Sequence, residues 1–442
     1  MKLRARLSAI SVALVAATLA PAPTHAAPAP LARTSPLSSS FYTYSGSTPL
    51  RDLKLGTVLK TRTVSYSIQG LALPLKATQI LYRTRNQVGH AVVDVTTVVR
   101  PLTPVAGTPK VLSYQSFYDS LNPADEPSAA IAGGSGLGVG NANVETLIFA
   151  PALLAGYTIN IPDTEGQTAD FAAGPEYGYT TLDSLRAISH SSATGVGTRS
   201  KIGLLGYSGG AIASEWAAEL APTYARGVAR RLVGTAIGGV LVHPGHNLHY
   251  VQGSAVWAGV MPMALVGLAR AFHIDLAQYA NDYGRSVMTT MQKAPISTVL
   301  GMYPGLTWKK IAKARYAQPE QIPVYVRTAN KLIMGRFHTP TAPMFIGQGN
   351  GGILEGTSPS KVYGAGDGVM IAGDVRTLAR EYCRRGVTVK YTQYPLSHFT
   401  SVTEWLPAAY GWITARFAGK AAPSSCGSIA RGNSLAPLKL QG

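Results

Sequence analysis

The sequence predicts an α/β fold, with a mostly parallel central sheet and a helical cap inserted between two of its later strands. Three observations predict it. After Pro101, apolar runs of strand length alternate with stretches of helical spacing, the pattern of βαβ units. One such run, Ile202-Gly203-Leu204-Leu205, ends in Gly206-Tyr207-Ser208-Gly209-Gly210 and passes directly into a helix-forming stretch. A long segment, 238–323, then breaks the rhythm with helical pieces and no strand pattern.

The elements follow in chain order. Residues 1–26 read as a secretory signal peptide. Lys2, Arg4 and Arg6 start it, an apolar run follows to Ala20, and small residues precede a cut between Ala26 and Ala27. That apolar run is too short to span a membrane comfortably, so no anchor is expected after cleavage. Residues 27–48 are a leader rich in Pro, Ala and Ser. The core's first part is 49–237. It opens with two β-rich runs, 75–84 and 91–99, joined through Asn86-Gln87-Val88-Gly89 as an antiparallel hairpin. Strand runs at 110–115, 157–161, 201–206 and 233–237 follow, with a helix over 177–189 between the second and third. After the cap, 324–426 completes the core with strands at 344–347 and 387–394 and a helix over 371–384 between them. Residues 427–442 form a C-terminal tail. The glycine run Gly133–Gly140 fits no G-x-G-x-x-G register, so it reads as a loop and not as a dinucleotide site.

Composition narrows the class. Hydrophobic residues make up 46% of the 442, ample for a large core, and charged residues only 14%. The formal charge is +18; without the three basic residues of the signal peptide, 39 − 3 = 36 cations face 21 anions, leaving +15. These cations are scattered, with pairs such as Arg230-Arg231 and no basic run interleaved with aromatics, which argues against nucleic-acid binding. The two cysteines, Cys383 and Cys426, are expected to pair outside the cell and to staple the tail to the helix near Cys383.

Ser208 is the centre of the chemical pattern. A serine between a strand and a helix, in G-x-S-x-G, is the nucleophile elbow of an α/β-hydrolase. A hydroxyl needs a base to take its proton and a third group to orient that base, and in this architecture the order is serine, acid, histidine. His398 stands just past the last strand run, at the end where open α/β sheets place their sites. His338 stands at the wrong end of its strand. Asp367, in Gly364-Ala365-Gly366-Asp367-Gly368-Val369, is the acid; Asp374 is the rival inside the following helix. Gly209 carries the amide after the nucleophile, an oxyanion donor by position alone. His243, His246 and His249, in HPGHNLH, are spaced by three. Pro244 and Gly245 argue against a helix that would align them, so a loop without metal is expected. No metal or other cofactor is implied.

The motifs GYSGG, GDGV and YPLSHF, in that order, resemble the secretory lipase family typified by Candida antarctica lipase A. SYQSFYDS, IPDTEG and YGYTTLDSLRAI add to the likeness, which runs from about Leu71 to Cys426. The resemblance implies Ser208 as nucleophile, Asp367 as orienting acid, His398 as base, and Asp119 with Gly209 as the oxyanion hole. It also matches the two cysteines to a family disulfide. One stretch departs from it: the glycine-rich NGGILEGTSPSKVYGAG before Asp367 is longer than the resemblance implies and is expected to reshape the pocket rim. Trp257, Met261 and Met263 read equally as an acyl tunnel or as cap core.

The expected activity is hydrolysis of carboxylic esters through an acyl-enzyme, outside the cell, on a lipid or ester substrate at a lipid–water interface. A triacylglycerol lipase leads. A short-chain esterase, an acyltransferase to an envelope alcohol, and a non-catalytic lipid-binding protein are the alternatives.

Overall fold

The computed structural model describes residues 39–103 and 106–442. The expected signal peptide and residues 27–38 of the leader lie outside the described residues.

Nine strands form one mixed sheet: β1 Val58–Ile68, β2 Leu71–Arg85, β3 Ala91–Val99, β4 Val111–Gln115, β5 Thr158–Pro162, β6 Ile202–Tyr207, β7 Leu232–Gly238, β8 Met344–Gly349 and β9 Val389–Tyr394. Their order is β1-β2-β3-β5-β4-β6-β7-β8-β9. The β2–β3 hairpin forms as the alternating runs predict, and β3 pairs antiparallel with β5. From β5 through β4 to β9 every pairing is parallel. From β5 to β8 those strands are short and mostly buried because helices cover both faces; β9, at the far edge, is partly exposed and carries Lys390, Thr392 and Gln393. β1 differs: it lies at the sheet edge, half exposed along most of its length, and its VLKTRTVSYSI mixes apolar with polar residues.

Strand periodicity divides the core. On β6, Ile202 and Leu204 point to one face, with Ile212, Trp216 and Leu220 of the helix Gly209–Tyr224, Tyr177 and Leu185 of the helix Gly174–His190, and Leu378 and Tyr382 of the helix Ala372–Arg384. Leu205 and Tyr207 point to the other, with Trp405, Trp412 and Phe417 of the helix His398–Phe417. Burying each such side chain contributes about 1.5–3 kcal/mol.

Between β7 and β8 the described residues hold helices and no sheet strand. The longer ones are Pro244–Val251, Val260–Ala271, Asp282–Met291 and Pro323–Asn330. They bury their own apolar cluster, with Leu248, Trp257, Met261, Leu265, Met288, Trp308 and Tyr325 among its members, and the packing continues to Leu332. The first of these helices corrects the loop expected for HPGHNLH. Proline in a first turn loses no hydrogen bond, because the amide it lacks has no partner there. His243 caps that turn, its Nδ1 accepting from the His246 amide at 3.3 Å.

Cys383 and Cys426 are disulfide-bonded, with Cα atoms 5.6 Å apart. The tail beyond then runs along the helix Ala372–Arg384. Arg380 donates to Ile429 O and Thr377 Oγ1 to Asn433 O, and the Leu438 amide reaches Asn330 Oδ1 in the helical layer.

Candidate active site

Ser208 stands alone between the last residue of β6 and the first of the helix Gly209–Tyr224, at φ 54° and ψ −122°. A serine in that region carries about 1–3 kcal/mol of strain and needs the surroundings to impose it. Its amide donates to Gly238 O at 2.9 Å, and its carbonyl accepts from Ala211 and Ile212 at 2.9 and 3.1 Å. The crowd of glycines has a steric reason. A Cβ at residue 206 would come within 2.0 Å of Gly210 O, and one at residue 210 within 2.0 Å of Gln115 O.

His398 is the first residue of its helix, behind the cap Ser397. Its Nε2 lies 2.9 Å from Ser208 Oγ, and its Nδ1 2.8 Å from Asp367 Oδ2. A carboxylate at Nδ1 requires the Nδ1–H tautomer, which leaves Nε2 free to accept the serine proton. Asp367 is fully buried. Its Oδ1 accepts from the Val369 and Met370 amides at 3.1 and 2.7 Å, and its Oδ2 also from Gln348 Nε2 at 3.0 Å. The imidazole packs against the rings of Tyr207 and Trp257, at centroid distances of 5.1 and 5.2 Å. Burial alone would lower its pKa. The Asp367 carboxylate, by charge and hydrogen bond, outweighs that with help from Glu355 and Asp119, and holds the ring above its ordinary value.

The rivals stand apart from Ser208. Asp374 Oδ2 bonds His246 Nδ1 at 3.0 Å, and its Oδ1 accepts from Asn433. His338 lies by Glu219, its amide donating to Oε1.

Asp119 follows β4 in a left-handed conformation, φ 38°. Its carbonyl accepts from the Ile296 amide at 2.9 Å, and its carboxyl sits over Gly209, where a Cβ would come within 1.8 Å of Oδ1. Burial pushes this carboxyl up to about 7, against the pull of His398. Ser208, Gly209 and Asp119 open onto one apolar cavity walled by Phe171, Leu248, Trp257, Met261, Leu265 and Met370. Trp257 and Met261 thus face the cavity, while Met263 is buried in the helical layer's packing. The arrangement can activate a hydroxyl and hold an apolar chain beside it.

A family profile described as Secretory lipase matches residues 134–425. The chain belongs to the secretory lipase family. That membership makes it a hydrolase of the lipase and esterase kind, acting on carboxylic esters. Lipase 1 of Candida albicans is 28% identical over 424 residues, covering 91% of this chain and 85% of that protein. A protein of Mycobacterium tuberculosis named a probable inactive lipase is 30% identical over 378 residues, covering 83% of this chain and 79% of its own. Candida antarctica lipase A in its closed state superposes with a TM-score of 0.76 at 26% identity, covering 91% of each chain. The esterase LipA of Xanthomonas oryzae, at a TM-score of 0.56 and 13% identity, covering 84% of this chain and all of its own, shares the fold.

Sequence reasoning missed several residues around this secretory lipase's His398. Gln348, Tyr207 and Glu355 come from three separate segments, and no local spacing marks them. Asp94, Glu126 and Asp163 lie close enough to hold a cation. Burial first, then charge among the three carboxyls, pushes Asp94 and Glu126 well up, and burial lifts Asp163 to about 7.

Proposed function

We propose that this protein is a secreted triacylglycerol lipase that works through an acyl-enzyme on Ser208. Ser208 Oγ attacks the ester carbonyl while His398 Nε2 takes its proton. Asp367 holds the imidazole in the Nδ1–H tautomer and stabilises the cation that forms. The negative charge on the tetrahedral oxygen is met by the Gly209 amide and by Asp119, whose neutral carboxyl donates its O–H. His398 then returns the proton to the leaving alcohol, and water, activated by the same ring, releases the acid.

The observation that carries this reading is the unbroken line from Ser208 Oγ to His398 to Asp367, at 2.9 and 2.8 Å, opening onto an apolar cavity. One relative bears the name of a probable inactive lipase. In this chain the hydroxyl, imidazole and carboxylate are all present within bonding distance, which supports activity. We read 238–323 as a cap over the site; its support is that Leu248, Met261 and Leu265 from this segment wall the cavity. The basic start and apolar run of residues 1–26, and the family's description as secretory, support export. Among the described residues, no helix is long and apolar enough to cross a membrane.

Hydrolysis of p-nitrophenyl esters from acetate to palmitate, with emulsified triolein beside them, tests the proposal. Wild type is expected to favour the longer chains and to cleave triolein. Ser208→Ala is expected to lose about 10⁴-fold or more in kcat. Equal rates in the two proteins would remove Ser208 from the chemistry, and cleavage of acetate alone would make the enzyme a short-chain esterase.

A further inference from the structure

The glycine-rich stretch between β8 and Asp367 has a structural product. After β8 it turns at once into a short helical turn, Gly352–Glu355, and delivers a buried carboxylate behind His398. Glu355 Oε1 accepts from the Phe399 amide at 2.8 Å, in the first turn of the helix that begins with His398. Its Oε2 accepts from Trp257 Nε1 at 2.7 Å. The Trp257 ring stands edge-on to the imidazole, at 85°, and walls the cavity. Gly368, next to Asp367, leaves the room for this pair: at φ 129° it has no side chain, and a Cβ there would come within 2.6 Å of Glu355 Oε2 and 2.8 Å of Trp257 Nε1. Gly352 is equally constrained, since its Cβ would come within 2.5 Å of the Gly368 amide.

We propose that Glu355 is a positioning residue for His398, its carboxylate clamping the start of the helix that carries the imidazole to the indole that walls it. This rests on the reading of His398 as the base. Asp367 fixes the ring from the Nδ1 side; Glu355 fixes the backbone beneath it and one of its faces. One carboxylate thereby joins the core helix to the layer between β7 and β8, so the wall of the cavity and the base hold a common position. The charged groups facing the ring are Asp367, Glu355 and Asp119. Glu355 does not bond the imidazole, yet its negative charge favours the protonated ring.

Glu355→Gln keeps the shape, removes the charge and turns one acceptor into a donor opposite the indole N–H. The experiment is the pH profile of kcat/KM on a p-nitrophenyl ester, for wild type, Glu355→Gln, Glu355→Asp and Ser208→Ala. Glu355→Gln is expected to lower kcat about tenfold and to move the acid limb about half a pH unit or more to lower pH. Glu355→Asp keeps the charge and loses the reach, so it is expected to lower kcat with the limb in the wild-type place. A Glu355→Gln profile that superposes on wild type, or that is merely lower at every pH, overturns the proposal. If Glu355→Gln does not fold, Trp257→Phe reads the same clamp: it keeps a ring and removes the N–H, and is expected to lower kcat at least threefold. Wild-type kcat in folded Trp257→Phe overturns the clamp. Ser208→Ala separates the two levels: if it is inactive while Glu355→Gln behaves as wild type, only the role of Glu355 falls. If it is fully active, the reading of the whole site falls.

Discussion

In the proposed mechanism the protonation state of Asp119 is decisive. To donate to an oxyanion, its carboxyl must keep its proton; an ionised carboxylate would repel the charge it is meant to stabilise. Burial supplies the condition by lifting its pKa to about 7. His398 has the opposite requirement. It must be neutral to accept the serine proton, and its pKa is held above the ordinary value. Activity therefore rises as pH climbs through the histidine's pKa and falls as it climbs through that of Asp119. The two groups influence each other, so the limbs belong to the pair and a narrow bell around neutrality is expected. Asp119→Asn keeps an N–H donor and cannot ionise. It is expected to retain kcat within about tenfold and to lose the alkaline limb, whereas Asp119→Ala is expected to lose about 10²–10³-fold, the usual cost of one oxyanion donor. Profiles of kcat/KM against pH decide this: an alkaline limb unchanged in Asp119→Asn would assign it to another group. The tight turn at Ser208 was legible from its flanking glycines. The proposed role of Asp119 rests on family resemblance, because burial and a left-handed backbone are features that no spacing records.

The elements were legible where their periodicity was strong. The β2–β3 hairpin and the six strands from β4 to β9 match the runs that predict them; for β4 to β8 the covered faces of a parallel sheet favour apolar stretches, while the hairpin and the edge strand β9 are marked by their β-branched and aromatic residues. β1 was missed for the converse reason: an edge strand half exposed along its length carries Lys60, Thr61 and Arg62 and breaks that pattern. The helix at HPGHNLH escapes the pattern because Pro244 and Gly245, breakers inside a helix, are tolerated in its first turn. The pairing of Cys383 with Cys426 was legible from their number and the expected export. It closes a loop of 43 residues and anchors the tail, and the chain-entropy relation gives about 4 kcal/mol for a loop of that size. The double variant Cys383→Ser, Cys426→Ser is expected to lose about that much in guanidinium unfolding. It should keep near-normal kcat in the folded state, because neither sulfur approaches Ser208. A loss under 1 kcal/mol would show that the tail's hydrogen bonds to the helix Ala372–Arg384 hold it without the bond.

Over the whole molecule the sparse charge takes on a further meaning. The chain has 21 acidic side chains, and many of them lie in its interior. Burial is the leading cause that raises their pKa values: Asp170 to about 6, Asp163 to about 7 and Glu145 to about 8, with Glu126, Glu165 and Glu215 well above their ordinary range. In the unfolded chain the same groups titrate near 4. A carboxyl whose folded pKa is raised binds its proton more tightly in the native state. The stability it contributes is fully present below the unfolded pKa and is lost as pH rises through the folded one. His243, buried and held down to about 4, runs the other way, as does Glu320, where His249 outweighs the push of burial, but they are few against this set. The fold is therefore expected to weaken between about pH 5 and 8.5, where most globular proteins are near their best. Thermal unfolding across that range should show Tm falling toward the alkaline end. Glu145→Gln should make that fall shallower, because an amide at that position has no proton to lose. A Tm that is flat or rising from pH 5 to 8.5 would mean that the interior carboxyls stay ionised with partners and that burial does not govern their titration. A falling Tm with an unchanged slope in Glu145→Gln would place the effect on the other buried groups.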